Sequence, residues 1–248
     1  MRNSNLWKPS KFVIKKCKLS ASRNAREVSV SSRLISDIIA EFYWIYLKEH
    51  CKGKLLDLGC GKAPLYEVYK DFITDSVCVD WIHTNHKTDH LDYNFDLTEA
   101  IPLPDREFDT VVLSDVLEHI PNPELLFNEI SRLLRPGGKL VMNVPFYYWL
   151  HEEPHDYYRY TKYALKRFAK LSKIELIVVE SLGGIPEILA DILAKYFLFS
   201  VPKAGKYLSI CVQYLCYKFI KTSLGARMSK QTGRLFPLGY FLIGEKLK

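Results

Sequence analysis

Lys54-Leu55-Leu56-Asp57-Leu58-Gly59-Cys60-Gly61 is the stretch on which the fold turns. Lys54 to Leu58 is short and apolar, the pattern of a buried strand, and two glycines follow at once. Glycine at that point lets the backbone approach a ligand with no Cβ in the way. A helix of about two turns is expected from Pro64, because proline suits the first helical turn. Ser76 to Val79 reads as the next apolar strand and ends in Asp80, 21 residues after Gly59. A carboxylate there can accept hydrogen bonds from both hydroxyls of a ribose, which points to a nucleoside-containing cofactor. The third glycine of a pyrophosphate fingerprint is missing, since Lys62-Ala63-Pro64 follows. Asp57 would also repel a pyrophosphate, whereas it suits a cationic sulfonium and ammonium.

Working outward, Ser31 and Ser32 can cap a helix to about His50, with Leu34, Ile35, Ile38, Ile39, Phe42, Tyr43 and Tyr46 at helical spacing. A polar stretch, Trp81 to Tyr93, precedes a short strand ending near Asp96. Phe108 to Leu113 is the strongest strand signal. Asn122-Pro123 starts a helix that runs to Leu134, and Pro136-Gly137-Gly138 turns into the strand Lys139 to Val144. Thr161 caps a helix to about Leu171, and Ile174 to Val179 and Gly239 to Gly244 are strands. Strands alternating with helices predict a parallel sheet covered on both faces.

Composition agrees: 248 residues, 48% hydrophobic and 25% charged, describe a globular chain and exclude a disordered one or a disulfide scaffold. No apolar run reaches the roughly 20 residues of a spanning helix, and the start lacks the apolar stretch of a secretory signal. Six cysteines without C-x-x-C spacing read as reduced thiols, so a cytoplasmic location is expected.

Leu55-Leu56-Asp57-Leu58-Gly59-Cys60-Gly61, Asp80, Asn94-Phe95-Asp96-Leu97, Phe108-Asp109-Thr110-Val111-Val112, Leu117-Glu118-His119-Ile120-Pro121 and Leu134-Arg135-Pro136-Gly137-Gly138 stand in one order across roughly residues 35–180. Together they resemble the class I S-adenosylmethionine-dependent methyltransferases, small-molecule branch. The resemblance implies an α/β, Rossmann-like seven-stranded sheet with helices on both faces and its last strand antiparallel. It implies S-adenosylmethionine as cofactor. Gly59 and Gly61, with Cys60 between them, would line its methionine portion, and Asp57 would sit near the charged end. Asp80 would bind the ribose, Asp96 and the backbone of Leu97 the adenine, and Ser114 would border the pocket floor. Ala63 narrows the approach slightly, and Trp81 can stack on adenine.

Methyl transfer to a hydroxyl needs a base, sought beyond the ends of the strands. Phe146 to Thr161 is the densest aromatic cluster in the chain, with His151, His155 and Arg159 interleaved. His155 ranks first as base because Asp156 and Arg159 flank it; His119 ranks below it, and His151 is the third candidate. Tyr147, Tyr158 and Arg159 are the candidate acceptor contacts, the rings by stacking and Arg159 by pairing with a carboxylate or phosphate. The segment is similar to one in methyltransferases of sugar and surface-glycan assembly, which implies a small or glycan-like acceptor. His151-Glu152-Glu153-Pro154-His155 also fits H-E-x-x-H. Pro154 prevents the helix that would align both histidines, so no metal is assigned.

The sequence divides into a basic arm (1–30), a core (31–184), an apolar helical insertion (185–235) and the last strand (236–248). Residues 1–26 hold eight Lys/Arg and no acid, residues 185–248 hold ten against three acids, and the stretch between carries a net −8. In the insertion, Glu187, Asp191 and Lys195 form one polar stripe on an otherwise apolar helix, and Ser209 and Gln213 form a thin stripe on the next. Three readings stay open for it: a surface resting on an anionic membrane at its inner face, a lid over the acceptor, or a homodimer face. Nucleic acid is disfavoured, since Ser114-Asp115-Val116-Leu117 lacks the N-P-P-Y element of base-amino methyltransferases. A non-catalytic membrane adaptor and an RNA methyltransferase are the rival functions.

Overall fold

The computed structural model describes residues 1–82 and 89–248. The basic arm is folded at its centre: β1 (Phe12–Lys15) and β2 (Lys18–Ala21) pair antiparallel. Lys16 and Cys17 between them adopt φ of 50° and 57°, the left-handed pair that a two-residue hairpin needs. A 3₁₀ turn over Val30–Ser32 leads into α1 (Arg33–His50), so Ser31 and Ser32 form that turn. There follow β3 (Lys54–Leu58), α2 (Tyr66–Tyr69), β4 (Asp75–Asp80), β5 (Tyr93–Asn94), β6 (Phe108–Ser114), α3 (Pro123–Leu133), β7 (Leu134–Pro145), α4 (Lys162–Leu171), β8 (Ile174–Ser181), α5 (Ile185–Ser200), α6 (Gly205–Ile220), α7 (Ser223–Thr232) and β9 (Gly239–Lys246).

Seven strands form one mixed sheet in the order β5-β4-β3-β6-β7-β9-β8, the Rossmann-like arrangement expected. β3 pairs parallel with both β4 and β6, β4 with β5 and β6 with β7. β9 runs against β7. Its end lies by the start of β7, where Glu245 meets Lys139, and the Tyr240 ring at its start lies 6.3 Å from Phe146 beyond the end of β7. Leu55, Leu56, Leu58, Phe108, Val111, Leu113, Leu140 and Met142 are fully buried along the central strands, the double-sided burial that makes such strands continuously apolar.

Some elements differ from expectation for local reasons. Ala63 at φ 45° breaks the backbone before Leu65, so α2 is a single turn. The Pro136-Gly137-Gly138 turn is absorbed inside β7 as a register shift: Phe108 pairs with Leu134, yet Thr110 pairs with Lys139. α7, capped by Thr222 accepting from the Gly225 N–H at 3.1 Å, lies in a polar stretch with no strong helical pattern. Of the polar stretch Trp81 to Tyr93, residues 83–88 lie outside the described residues.

By compactness the chain falls into two units: Met1–Pro9 with Ile45–Glu180 and Tyr240–Lys248, and Ser10–Trp44 with Ser181–Gly239. Among the described residues no helix is long and apolar enough to cross a membrane.

Candidate active site

Chain order reverses across β4, β3 and β6, the kind of position at which open α/β sheets bind ligands beyond the C-terminal ends of their strands. The loop after β3 runs left-handed at Gly59 (φ 65°), Gly61 (φ 53°) and Ala63 (φ 45°). Gly59 is required twice over: besides its φ, a Cβ there would stand 2.6 Å from Cγ2 of Val116. The loop after β3 is therefore packed against the turn after β6.

Asp57 is almost fully buried and its Oδ2 accepts from the Tyr69 hydroxyl at 2.9 Å. Burial pushes its carboxyl up to about 7; the Tyr69 bond opposes this and the charge of Asp80 adds to it. Asp80 ends β4, and its Oδ1 accepts the Trp81 N–H at 2.7 Å. Asp96 is exposed and holds its own turn, Oδ1 accepting from the Thr98 N–H at 2.9 Å, while Leu97 is buried in the core. Ser114 donates from Oγ to Asn143 Oδ1 at 3.1 Å, across β6 and β7. The Cys60 side chain turns into a small buried cluster with Ala63, Cys78 and Leu91, and its N–H donates to Val79 O at 3.1 Å. Cys60 thus acts in packing. Trp7 was not foreseen: its indole donates to Ala63 O at 2.9 Å and its ring tilts over Tyr66 at 5.2 Å. A tryptophan in an otherwise polar, basic terminus was the available signal.

Beyond β7, the aromatic segment lies on the turn after β6. The Tyr157 N–H donates to Glu118 O at 2.9 Å, the Tyr158 hydroxyl to Pro121 O at 3.0 Å, and the Tyr160 hydroxyl to Leu117 O at 3.0 Å. His119 Nδ1 is 2.9 Å from His155 O. A carbonyl only accepts, so Nδ1 carries a proton, and in the neutral ring the lone pair is on Nε2. That Nε2 lies 3.8 Å from Glu118 Oε1 and 3.9 Å from Glu152 Oε2. His151 approaches the same carboxylate, its Nε2 3.8 Å from Glu118 Oε1 and its Nδ1 3.4 Å from Asp156 Oδ2. Burial, then the neighbouring His119, lower the His151 pKa. Glu118 is 0% exposed. Glu118, His119 and His151 offer donor atoms within 4.8 Å of one another, the one such group among the described residues that could hold a metal ion.

The structure separates residues that the sequence grouped. His155, ranked first as base, is exposed; its Nδ1 is 3.2 Å from the Tyr157 hydroxyl and its ring meets Trp81 edge-on at 5.3 Å. His151 and His155 thus face different partners, as a non-helical segment dictates. Arg159, expected to pair with an acceptor anion, is already engaged: it grips Asp156 with both Nη atoms at 2.6 and 2.8 Å and donates to Trp149 O at 3.0 Å. That grip holds the Asp156 carboxyl down to about 2. Arg159 therefore braces the segment. Tyr147 and Tyr158 keep two-fifths of their surface exposed.

Residues 27–179, more than half of the chain, match the family described as methyltransferase domain. The ubiquinone biosynthesis O-methyltransferase of Bartonella tribocorum is 27% identical over 156 residues, which is 52% of this chain and 62% of that protein. The protein of the same description from Paraburkholderia phytofirmans is 25% identical over 196 residues, 68% of this chain and 82% of the relative. Among solved structures, a phosphoethanolamine N-methyltransferase 2 of Haemonchus contortus, in complex with S-adenosyl-L-methionine, superposes with a TM-score of 0.54 at 18% identity. The alignment covers 91% of this chain and 59% of that one.

Proposed function

The chain belongs to the methyltransferase-domain family, and from that premise we propose that it is an S-adenosylmethionine-dependent O-methyltransferase acting on a small, ring-bearing hydroxyl acceptor. The observation that carries the reading is His119. Its Nδ1–H is fixed on a carbonyl, and its basic Nε2 lies beside the buried Glu118 carboxylate. It stands on the turn that packs against the Gly59 loop.

The residues present fit the cofactor. The left-handed loop at Gly59 and Gly61 gives a backbone cradle, Asp57 a buried carboxylate for a cation, and Asp80 a carboxylate for a ribose diol. When bound, S-adenosylmethionine supplies a methyl group on a positively charged sulfur. His119 Nε2 takes the hydroxyl proton of the acceptor, and the Glu118 and Glu152 carboxylates stabilise the imidazolium that forms. Exposed Glu152 then gives that proton a path to solvent. Tyr147 and Tyr158 offer faces for an acceptor ring. All of these groups lie in the unit of Met1–Pro9, Ile45–Glu180 and Tyr240–Lys248.

The oxygen acceptor is supported by the names of the curated relatives, and the ring by the aromatic segment. A phenol and a sugar share that chemistry, including a glycan-like acceptor on a lipid carrier. Mass spectrometry of a phenol and a glycoside, each incubated with the protein and isotopically labelled methyl donor, separates them. His119→Gln is expected to lower kcat by about 10²–10⁴ with donor affinity unchanged, and Asp80→Ala to abolish donor binding. Full turnover by His119→Gln, or donor binding by Asp80→Ala equal to wild type, refutes the assignment.

A further inference from the structure

α5 and α6 are inside out. On α5 the polar stripe Glu187, Asp191 and Lys195 is buried, while Leu189, Ile192, Leu193, Tyr196 and Phe199 are exposed. On α6 Ser209 is 0% and Tyr207 73% exposed; Gln213 is also buried, while Leu208, Tyr214 and Leu215 face outward. The buried polar groups are satisfied within their unit. Gln213 accepts from the Leu34 N–H at 2.9 Å and donates to Val30 O at 2.7 Å, Asp191 pairs with Lys195, and Glu187 accepts from the Gly184 N–H at 2.8 Å. The two helices lie backbone to backbone: a Cβ on Gly205 would stand 2.0 Å from Phe197 O. An amphipathic helix in water turns its apolar stripe inward. This pair buries its polar stripes, with Ile188, Ala190 and Ala194 beside them on α5, and leaves its largest apolar side chains outside; Leu224, Met228, Leu235 and Phe236 are exposed as well.

The charge around this surface is mainly positive, with Lys221 paired to Glu41 at 2.7 Å and buried Lys195 paired to Asp191. From Ile192 to Gly244 there are eight Lys/Arg and no acid. We propose that the α5–α6 face docks on the surface of an anionic phospholipid bilayer, its apolar side chains in the outer acyl region and its lysines among the phosphates. Lys203 and Lys206 stand at one end of the hairpin and Lys218 and Lys221 at the other. With 16 residues each, the helices are about 24 Å long. A hairpin plunging into the bilayer would bury one of those lysine pairs in hydrocarbon; one lying flat keeps both pairs at the phosphates. Lys218 sits over the ring of exposed Tyr214 at 5.6 Å, an amphipathic pair suited to the headgroup level. A second copy of this chain is the poorer occupant. A two-fold contact would set Lys203, Lys206 and Lys218 against their own copies, and Glu41, the acid beside them, is already held by Lys221.

The full chain is sedimented with vesicles of phosphatidylcholine alone or mixed with phosphatidylglycerol. Binding is expected on the mixed vesicles and is expected to weaken with salt. Lys203→Glu/Lys206→Glu lowers the partition about fivefold or more for each charge removed. Leu193→Ser/Tyr214→Ser lowers it tenfold or more. Both variants keep the wild-type melting temperature, because the altered side chains touch solvent. Wild-type protein left in the supernatant at low salt overturns the proposal, as do variants that bind like wild type. A dimer by light scattering that Leu193→Ser/Tyr214→Ser dissociates also overturns it, because a second copy would then cover the face.

Discussion

Gly59→Ala tests the geometry on which the cofactor site rests. At φ 65° an L-residue is disfavoured by about 1–2 kcal/mol. The new methyl would lie 2.6 and 2.9 Å from the two γ-methyls of Val116. Val116 is buried, so relief requires repacking at a cost of about 1–3 kcal/mol. The sum, about 2–5 kcal/mol, is a large share of the 5–15 kcal/mol of a typical domain, so the variant folds with a clearly lowered urea midpoint. The two contributions separate in a double-mutant cycle. Val116→Ala removes both colliding methyls, so in that background Gly59→Ala should cost only the conformational part. The expected coupling is therefore about 1–3 kcal/mol. Urea unfolding of the four proteins, followed by circular dichroism, reads it directly. A single variant within about 0.5 kcal/mol of wild type, or a cost unchanged by Val116→Ala, refutes the packing of the loop on the turn after β6.

Asp57 should make donor binding pH-dependent. Its carboxyl, at about 7 in the free protein, must ionise to meet a cation, so affinity is full above that pH and falls by up to about tenfold per unit below it. Asp57→Asn removes the dependence, as titration calorimetry at several pH values would show. The free protein shows the reverse trend. Between the unfolded aspartate value near 4 and about 7 the folded state binds the extra proton, so stability falls as pH rises through that window, and Asp57→Asn is stabilising above it. Gln213→Leu strands the Leu34 N–H and Val30 C=O in a buried site and should cost about 2–5 kcal/mol in chemical denaturation, whereas Tyr207→Ser, on the opposite side of the same helix, should leave stability within about 0.5 kcal/mol.

What the sequence made legible was local. Lys54–Gly61 declares a buried strand and a ligand loop within eight residues, because apolar continuity and paired glycines need no distant partner to be read. Phe108–Ser114 is equally plain. The β1–β2 hairpin was hidden because Lys16 and Cys17 carry its left-handed turn in place of an Asn-Gly pair. The cluster of Glu118, His119 and His151 was hidden because its members come from segments over 30 residues apart in sequence. Their meeting depends on the aromatic segment folding back on the turn after β6. The ranking of His155 rested on its sequence neighbours Asp156 and Arg159, which in the structure pair with each other. On α5 and α6 the stripes themselves were visible, but a stripe marks two faces and not which of them is the core.

The cofactor loop concentrates features that folding alone would not favour. Three residues within five adopt positive φ, one of them Ala63, which has a side chain to strain. Beside them a carboxylate is buried deeply enough to hold its proton toward neutral pH. The Ala63 strain and the buried carboxylate each raise the free energy of the free protein, and the sheet demands neither; within the fold Asp57 serves as acceptor for the Tyr69 hydroxyl. Such costs persist where something outside the fold offsets them. A cation at Asp57 does so, since it replaces lost hydration with a direct charge interaction. The glycine at 59 is already required by Val116, so the strain left for a ligand to offset is that of Ala63. Under the proposed function both features suit one kind of ligand, positively charged next to Asp57 and carrying a diol for Asp80. A pyrophosphate-bearing nucleotide would satisfy the second demand and violate the first.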